Sequence, residues 1–359
     1  MTQAPMQMQS ARARIEDGAH EAARERAGAR LARLGFGAAP IGNLYREVSD
    51  AQARDALEAA WRAGIRLFDT APHYGFGLSE LRLGAFLKGR RREEFSVSTK
   101  VGRTLEPIVS SKAAGVRHGF VNARPFEPVF DYSYDGVMRS FEDSLKRLGL
   151  DRVDILYAHD LGRRAHGSAH EAHWRAFRKG GWRAMRRLRE EGAAGALGLG
   201  ANEWRACLDA LEEFDMEVFL LAGRYTLLEQ EPVERFLPAC LDRGAAVFVG
   251  GVFNSGVLAT GPSAVSRYDY QRASEPVRRR VAAIAEIAQA FGVAAPAAAL
   301  AFPLYHSAVA RALVGFASAA EVKDAVVWAG ADIPRALWAR LREAGLLDSR
   351  APAPDLETA

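Results

Sequence analysis

The chain has few cysteines and no long apolar run. Only two cysteines, Cys207 and Cys240, occur in 359 residues. That is too few for a disulfide framework, so we expect both to be small buried residues in a reducing compartment. No stretch of about 18 apolar residues is present. The first thirty residues contain no apolar signal-peptide core. These absences predict a cytoplasmic protein with no membrane partner.

The chain also lacks a block of charge of one sign. Its formal net charge is only +4, from 48 Lys and Arg against 44 Asp and Glu. Arginines alternate with glutamates in strings such as RRREEF and RRLREEG. A protein that binds nucleic acid usually concentrates basic residues on one surface. We therefore predict no nucleic-acid partner.

What is present is an alternation of short apolar runs with helical patterns. Hydrophobic residues make up 49% of the chain and charged residues 26%, which is ordinary for a protein with a large core. Apolar runs of four to seven residues separated by segments with apolar spacings of three and four indicate repeated βα units. Strands are predicted at 34–38, 66–69, 95–101, 153–158, 196–200, 218–222, 246–249 and 310–315. Helices are predicted at about 50–63, 79–88, 135–148, 174–191, 203–213, 231–243, 276–291 and 318–329, with two more at 296–306 and 334–344.

Eight such strands predict a (β/α)8 TIM barrel with extra C-terminal helices. A doubly wound dinucleotide-binding sheet would carry G-x-G-x-x-G directly after its first strand, followed by a helix. Here the first strand leads into GFGAAPIG and no helix pattern follows for several residues. We divide the chain into a helical or disordered extension at 1–30, the barrel at 31–345 and a tail at 346–359.

Polar side chains that handle protons stand at or just beyond the ends of three predicted strands. Asp69 ends one apolar run and Tyr74 follows five residues later, Lys100 lies at the end of a second run, and His159 directly follows a third. The carboxyl ends of barrel strands form the face that carries chemistry. Two long connections, 102–134 and 251–275, belong to the same face and have the length of lids or ligand-clasping loops. The pattern indicates an enzyme.

These residues, within FDTAPHYGFGLSE and the two later strand ends, resemble the aldo-keto reductase superfamily from about residue 34 to 327. The strings FDYSYDGVMRSFEDSLKRLGLDRVDILYAHD, GANEW and LLAGRYTLLEQ resemble its aldose 1-dehydrogenases, which include D-threo-aldose and L-fucose dehydrogenases. The resemblance implies NAD(P)-dependent oxidation of an aldose such as L-fucose or D-arabinose at C1, giving the lactone. Oxidation of pyridoxal and general aldehyde reduction are alternatives. A nicotinamide-binding redox sensor or regulatory subunit is an alternative of another class.

The resemblance also assigns roles to the four strand-end residues. It makes Tyr74 the acid/base, Lys100 the cation that tunes it, Asp69 the partner of Lys100, and His159 the group that hydrogen-bonds the reacting oxygen. The chemistry of the side chains agrees, because a phenol with a pKa of about 10 is a weak base at neutral pH unless an ammonium stabilises its anion.

For the cofactor, the resemblance implies that Asn202 hydrogen-bonds the nicotinamide carboxamide and that Tyr225 stacks on the ring. Ala222 and Gly223 stand where relatives have two amide residues. The pyrophosphate is expected on the loop GVFNSGVL, through Gly251, Asn254, Ser255, Gly256 and Leu258. The adenosine end is expected at Gly315, Ser318 and Glu321. Since acidic residues repel a 2′-phosphate, we predict a preference for NAD over NADP.

A small-molecule aldose or aldehyde is the expected partner, and a homo-oligomer is left open. Its pocket is predicted to include Tyr45, His73, Phe76 and Asp160, together with the third-loop tyrosines Tyr132 and Tyr134.

One further cluster, His166, His170 and His173, has a spacing that could hold zinc on a helix, as in a zinc hydrolase. Its polar surroundings favour a solvated loop instead, and we predict no metal.

Overall fold

Eight parallel strands close into a barrel, which confirms the predicted fold. The computed structural model describes residues 28–109 and 114–354. Numbered along the chain, the barrel strands are Leu34–Gly37 (β1), Leu67–Asp69 (β2), Ser96–Val101 (β3), Val153–His159 (β4), Ala194–Ala201 (β5), Val218–Ala222 (β6), Ala246–Gly250 (β7) and Val309–Gly315 (β8). They lie in the order β1, β8, β7, β6, β5, β4, β3, β2, so that the first strand pairs with the last.

Side chains alternate along each strand between the barrel interior and the surrounding helices. On β4, Ile155 and Tyr157 belong to the interior cluster, whereas Leu156 and Ala158 pack in the larger core beneath the helices. This alternation follows from the two-residue period of a strand. Side chains therefore fill the middle of the barrel, and the open space lies at the ends of the strands.

Helices surround the barrel, and some of them start at a serine whose side chain caps the first turn. The Ser49 side chain accepts a hydrogen bond from the Gln52 N–H while the Gln52 side chain accepts one from the Ser49 N–H, and the Ser133 side chain accepts one from the Gly136 N–H. The helices are Asp50–Arg62, Leu78–Leu87, Tyr134–Leu148, Arg163–His166, His170–Ala176, Trp182–Glu190, Trp204–Glu213, Phe236–Arg243, Val257–Thr260, Glu275–Ala290, Ala295–Ala301, Ala319–Gly330 and Arg335–Glu343.

Two helices begin elsewhere than predicted. The helix expected from 174 starts at His170 and continues through a π turn at Phe177–Gly181. The helix expected from 231 starts at Phe236, after a separate 3-10 turn at Glu231–Val233. Pro232 in that turn has no N–H to donate, which favours a short turn at this point.

Both long connections contain hairpins that their sequences did not indicate. In the first, Arg103–Pro107 pairs with Phe126–Phe130, and Val116–Arg117 pairs with Phe120–Val121, both antiparallel. In the second, the hairpin joins residues 267–268 to 271–272. These hairpins give defined positions to side chains that a flexible loop would leave free.

The predicted terminal segments are only partly described. The extension at 1–30 falls almost wholly outside the described residues. The tail is described to residue 354, and it packs on the barrel because the Asp348 N–H donates to Gln230 Oε1 at 2.7 Å and Leu347 is buried. The domain boundaries themselves stay predictions.

Among the described helices, none alone combines the length and apolar character of a membrane span. One pair of helical segments, Glu275–Ala290 and Ala295–Tyr305, has that length and apolar character only when the two are taken together, and they are bent by 100° relative to each other.

Candidate active site

A cleft of about 440 Å³ opens at the carboxyl ends of the strands. Tyr74, Lys100, His159 and Asp160 line it, so the structure brings together side chains that follow three different strands. Asp69 lies buried directly below, bonded to Lys100. All four residues predicted to carry the chemistry thus meet at one place.

Lys100 and Asp69 form a buried ion pair. The Lys100 ammonium lies 3.0 Å from Asp69 Oδ1 and 2.8 Å from Oδ2, and it donates a third bond to the Thr70 carbonyl oxygen at 2.8 Å. The Ser98 hydroxyl donates to Asp69 Oδ1 at 2.7 Å. Both charged side chains are almost fully enclosed, 2% and 4% exposed. The ammonium is held in place, with its bonds directed to these oxygens.

Tyr74 is placed by a close approach of two loop backbones. Its neighbour Gly75 has a φ of +64°, and a Cβ there would lie 2.4 Å from the carbonyl oxygen of Gly42. A Cβ on Gly42 would in turn lie 2.7 Å from the Tyr74 carbonyl carbon. Only glycine fits either position without moving backbone. The loop after β1 therefore fixes the turn that carries the phenol.

The Tyr74 ring lies against the ammonium, with 4.6 Å between Lys100 Nζ and the ring centroid. Its centroid is 6.1 Å from that of His159. Burial, and then the negative charges of Asp69 and Asp160, raise the pKa of Tyr74 well above 10, and Arg103 offsets this in part. The sequence-based expectation was a lowered pKa. The difference arises because the cleft desolvates the phenol and two carboxylates lie nearby, while the Lys100 charge is balanced by Asp69.

His159 is neutral and hydrogen-bonded to Arg103. Arg103 Nη1 lies 2.8 Å from His159 Nδ1, and Arg103 Nη2 lies 2.7 Å from Asp160 Oδ2. Burial, followed by the positive charges of Arg103 and Lys100, lowers the pKa of His159 well below 6.5. The Tyr132 hydroxyl donates to the His159 carbonyl oxygen at 2.6 Å. The imidazole is thus fixed from both its ring and its backbone.

The predicted substrate residues divide into those that line the cleft and one that does not. Tyr45, His73 and Asp160 line it. Phe76 is fully buried behind the wall, where its ring packs against those of His118 and Phe120. Phe76 has a φ of 55°, which is an uncommon backbone conformation for a residue other than glycine. Its prediction as a pocket residue was wrong, and His118 and Phe120 form that wall.

The third-loop tyrosines also lie outside the cleft. Tyr132 is buried beneath it, where it supports His159. Tyr134 begins a helix on the outer surface, and its hydroxyl accepts a bond from Arg187 at 2.8 Å. Neither forms an aromatic wall for a substrate.

Of the two residues expected at a nicotinamide, only Asn202 faces the cleft. Its amide donates to the Ala222 carbonyl oxygen at 3.2 Å and to the Tyr270 hydroxyl at 3.1 Å. Tyr225 is fully buried and packs against Phe302 and His306. It does not line the cleft and cannot stack there, because its side chain points into the helix layer. The exposed ring of Tyr270 lines the cleft instead.

The loop after β7 has an unusual backbone. Asn254, Ser255 and Gly256 have consecutive positive φ values of 46°, 58° and 95°, and Gly251 has 61°. Asn254 is buried, and its Oδ1 has no hydrogen-bond partner among the described residues, while its amide donates to the Gly223 carbonyl oxygen. Leu258 is buried in the core and its N–H donates to the Phe253 carbonyl oxygen, so it shapes the loop and does not face a ligand.

The segment after β8 forms a helix start next to a basic residue. Gly315 ends β8, and the Ser318 side chain caps the next helix by accepting the Glu321 N–H. Glu321 accepts the Ala317 N–H at 2.7 Å and pairs with Arg46 at 2.6 Å. The carboxylate is therefore already engaged, and an arginine lies beside it.

The three histidines outside the cleft belong to helices, so the expected solvated loop was wrong. The rings of His166 and His173 lie 4.2 Å apart, whereas His170 packs on Trp174. His166 also contacts the Tyr132 hydroxyl at 3.0 Å. Across residues 28–109 and 114–354, no group of three His, Cys, Asp or Glu side chains has the arrangement of a metal site.

Four residues at the cleft were not identified from the sequence: His118, Arg267 and Tyr270 line it, and Arg103 bonds to the lining residues His159 and Asp160. Arg103 stands two residues after β3, which is a position that a search limited to strand ends passes over. The other three lie on hairpins that the sequence pattern did not predict. The sequence offered one signal for these residues: all four lie in the two long connections, 102–134 and 251–275, that follow strand carboxyl ends.

Comparison with known proteins agrees with this geometry. The family model described as "Aldo/keto reductase family" matches residues 33–345. The chain is 44% identical to a pyridoxal 4-dehydrogenase of Microbacterium luteolum, over 90% of this chain and 96% of that protein. It is 41% identical to a D-threo-aldose 1-dehydrogenase of Pseudomonas, over 91% and 98%.

Solved structures share the fold at low identity. An aldo-keto reductase from Bacillus halodurans in its holo form superposes with a TM-score of 0.66 at 23% identity, covering 91% of this chain and 94% of that one. A glycerol dehydrogenase from Gluconobacter oxydans gives the same TM-score at 21% identity and the same coverage. The match of the family model, the two long alignments and the four converging residues lead to one conclusion: this chain is an oxidoreductase that belongs to the aldo/keto reductase family.

Proposed function

We propose that the enzyme oxidises a cyclic hemiacetal to a lactone, and that the hemiacetal is an aldose of the L-fucose or D-arabinose type reacting at C1. The observation that carries this proposal is the convergence of Tyr74, Lys100, Asp69 and His159 in one cleft. The relative named D-threo-aldose 1-dehydrogenase supports the sugar as substrate. We further propose that the enzyme acts in the cytoplasm.

In this mechanism the anomeric hydroxyl is held between Tyr74 and His159. His159 donates a hydrogen bond to the reacting oxygen, and Tyr74 takes the hydroxyl proton as the C1 hydride leaves. When bound, an oxidised nicotinamide would accept the hydride and would add positive charge to the site. Positive charge favours the phenolate, which opposes the raised pKa of Tyr74. Lys100 and Asp69 keep a fixed cation against the ring throughout.

The residues after β5, β7 and β8 fit a nicotinamide dinucleotide, which is the cofactor of this family and is generally NADP. Within the described part of the chain, the buried Asn254 Oδ1 lacks a partner, and Asn254, Ser255 and Gly256 form a run of positive φ values in the loop after β7. We propose that Asn202 holds the carboxamide, that Gly251, Asn254, Ser255 and Gly256 lie along the pyrophosphate, and that Gly315, Ser318 and Glu321 lie at the adenosine.

The preference for NAD over NADP also stays a proposal, and its physical basis is mixed. Glu321 places a carboxylate where a 2′-phosphate would be repelled. Its pairing with Arg46 at 2.6 Å cancels part of that charge. The preference therefore depends on whether the arginine stays with Glu321 or turns toward the ligand.

For the substrate, we propose that Tyr45 and His73 form an apolar and aromatic wall and that Asp160 accepts a sugar hydroxyl. Pyridoxal is the second candidate, because it too forms a cyclic hemiacetal and a relative at 44% identity bears the name pyridoxal 4-dehydrogenase. Both candidates require the same bond to break, the C–H of the hemiacetal carbon.

The test is a spectrophotometric screen of aldoses and pyridoxal with NAD and with NADP, with the lactone identified by mass spectrometry. We expect lactone formation that persists in chelator and falls by about 10² or more in Tyr74→Phe. Arg279→Met, an exposed charge remote from the cleft, is the control. Turnover that survives Tyr74→Phe would reject the phenol as acid/base, and dinucleotide binding without turnover would favour a redox sensor.

A further inference from the structure

Arg103 occupies a position to which no function has been assigned. It begins the first hairpin, where its backbone pairs with Phe130 and its carbonyl oxygen accepts the Ser140 hydroxyl at 2.8 Å. Its guanidinium carbon lies 4.4 Å from the Phe130 ring centroid, and only 9% of its side chain is exposed. A buried arginine normally has specific partners, and those of Arg103 are both in the cleft.

The first partner fixes the protonation of His159. A guanidinium carries only donors and keeps its proton under all ordinary conditions. With Arg103 Nη1 at 2.8 Å from His159 Nδ1, that ring nitrogen has to be the acceptor. The single proton of the neutral ring is then on Nε2. His159 is thus set as a hydrogen-bond donor through Nε2.

The second partner is the adjacent carboxylate. Arg103 Nη2 lies 2.7 Å from Asp160 Oδ2, while His159 Nε2 is 3.6 Å from the same oxygen. Asp160 has a φ of 55°, an uncommon conformation for a residue other than glycine, and its N–H donates to the Gly200 carbonyl oxygen at 2.8 Å. One guanidinium therefore spans two neighbouring side chains and holds the strained one in the cleft.

We propose that Arg103 is a positioning residue that makes His159 a dedicated Nε2 donor to the reacting oxygen and holds Asp160 as the acceptor for the neighbouring hydroxyl of the substrate. The selected substrate class is thus a hemiacetal with a hydroxyl next to its reacting carbon. This inference rests on the proposed function for its substrate, whereas the state of His159 is independent of turnover.

The first experiment needs no substrate. Nitrogen-15 NMR of histidine-labelled protein, with His159 assigned by His159→Gln, reports which ring nitrogen carries the proton. We expect wild type to show the neutral Nε2–H form throughout pH 5 to 8. In Arg103→Met, burial and Lys100 still disfavour the charged ring, but Nδ1 loses its donor, so we expect a mixture of the Nδ1–H and Nε2–H forms. An Nδ1–H ring in wild type, or a ring that behaves identically in the variant, would overturn the inference.

The second experiment uses activity. Arg103→Lys keeps the charge but cannot span both partners, so we expect kcat to fall about 10²-fold while the protein remains folded by circular dichroism. Asp160→Asn should instead raise KM for an aldose and leave KM for its 2-deoxy analogue unchanged. Equal effects on the two sugars would reject the role of Asp160.

These results separate the inference from the proposed function. A wild-type enzyme that oxidises no hemiacetal, but whose His159 shows the expected NMR form, would refute the proposed function and with it the substrate class selected through Asp160, leaving the role of Arg103 in fixing His159. Normal hemiacetal oxidation with an unchanged Arg103→Lys enzyme would refute the positioning role and leave the function standing. Arg103→Met and Arg103→Lys are each compared with Arg279→Met, whose guanidinium pairs on the surface with Glu275.

Discussion

Removing both members of the ion pair between Lys100 and Asp69 should cost much less than the sum of the two single removals. Each charged group is at most 4% exposed, so removing its partner leaves a charge that neither water nor another ion compensates. Loss of one partner of a buried pair costs about 3 to 5 kcal/mol. We therefore expect Asp69→Asn and Lys100→Met each to lower the free energy of unfolding by about that amount. The double variant should lose about as much as one single variant and not the sum of the two. The second substitution adds no further loss because it removes the charge that the first one left unpaired.

The measurement is urea denaturation of the four proteins, followed by tryptophan fluorescence and far-UV circular dichroism. Independent effects would sum to about 6 to 10 kcal/mol in the double variant, an amount comparable to the whole stability of a typical domain. A coupling energy near 3 kcal/mol or more supports the pair as described. Additive losses, or single losses below about 1 kcal/mol as found for exposed pairs, would refute the reasoning.

Three further predictions concern the turn, the cofactor and acid stability. Gly75→Ala should destabilise the protein by about 1 to 3 kcal/mol more than Gly64→Ala, since both have positive φ but only Gly75 faces backbone at 2.4 Å; equal thermal shifts would contradict this. Glu321→Gln should lower KM for NADP about fivefold without changing KM for NAD, and an unchanged NADP value would remove Glu321 from the site. Burial and His173 lower the pKa of His166 to about 4, so stability contributed by the neutral ring is present above pH 6.5 and lost as pH falls toward 4. His166→Gln should flatten that part of the stability curve, measured by urea titration at each pH.

The sequence could predict the barrel because its signals are local. Each strand is a short apolar run bounded by turn residues. The polar residue at the end of a run therefore lies at the carboxyl-terminal face of the barrel, whatever conformation the loops adopt. Asp69, Lys100 and His159 were located for that reason. Position along a strand was enough to place them.

Residues beyond a strand end were predicted less well, because their direction depends on loop dihedrals. Phe76 at a φ of 55° and Tyr225 in the turn after β6 both point into packed layers. Arg103 was missed because a single arginine at a loop start gives no pattern. Its importance comes from partners 56 and 57 residues further along the chain.

The contact between Tyr270 and Asn202 has a kinetic consequence. The Tyr270 hydroxyl already accepts the Asn202 amide at 3.1 Å, and its backbone N–H donates to Ser255 at 3.2 Å. A ligand that accepts a hydrogen bond from the Asn202 side-chain NH2 group has to displace that phenol, because the group's other N–H donates to the Ala222 carbonyl oxygen. Association should then proceed in two phases, a fast encounter and a slower exchange whose rate levels off at high ligand concentration. Tyr270→Phe would remove the plateau and leave the encounter rate unchanged.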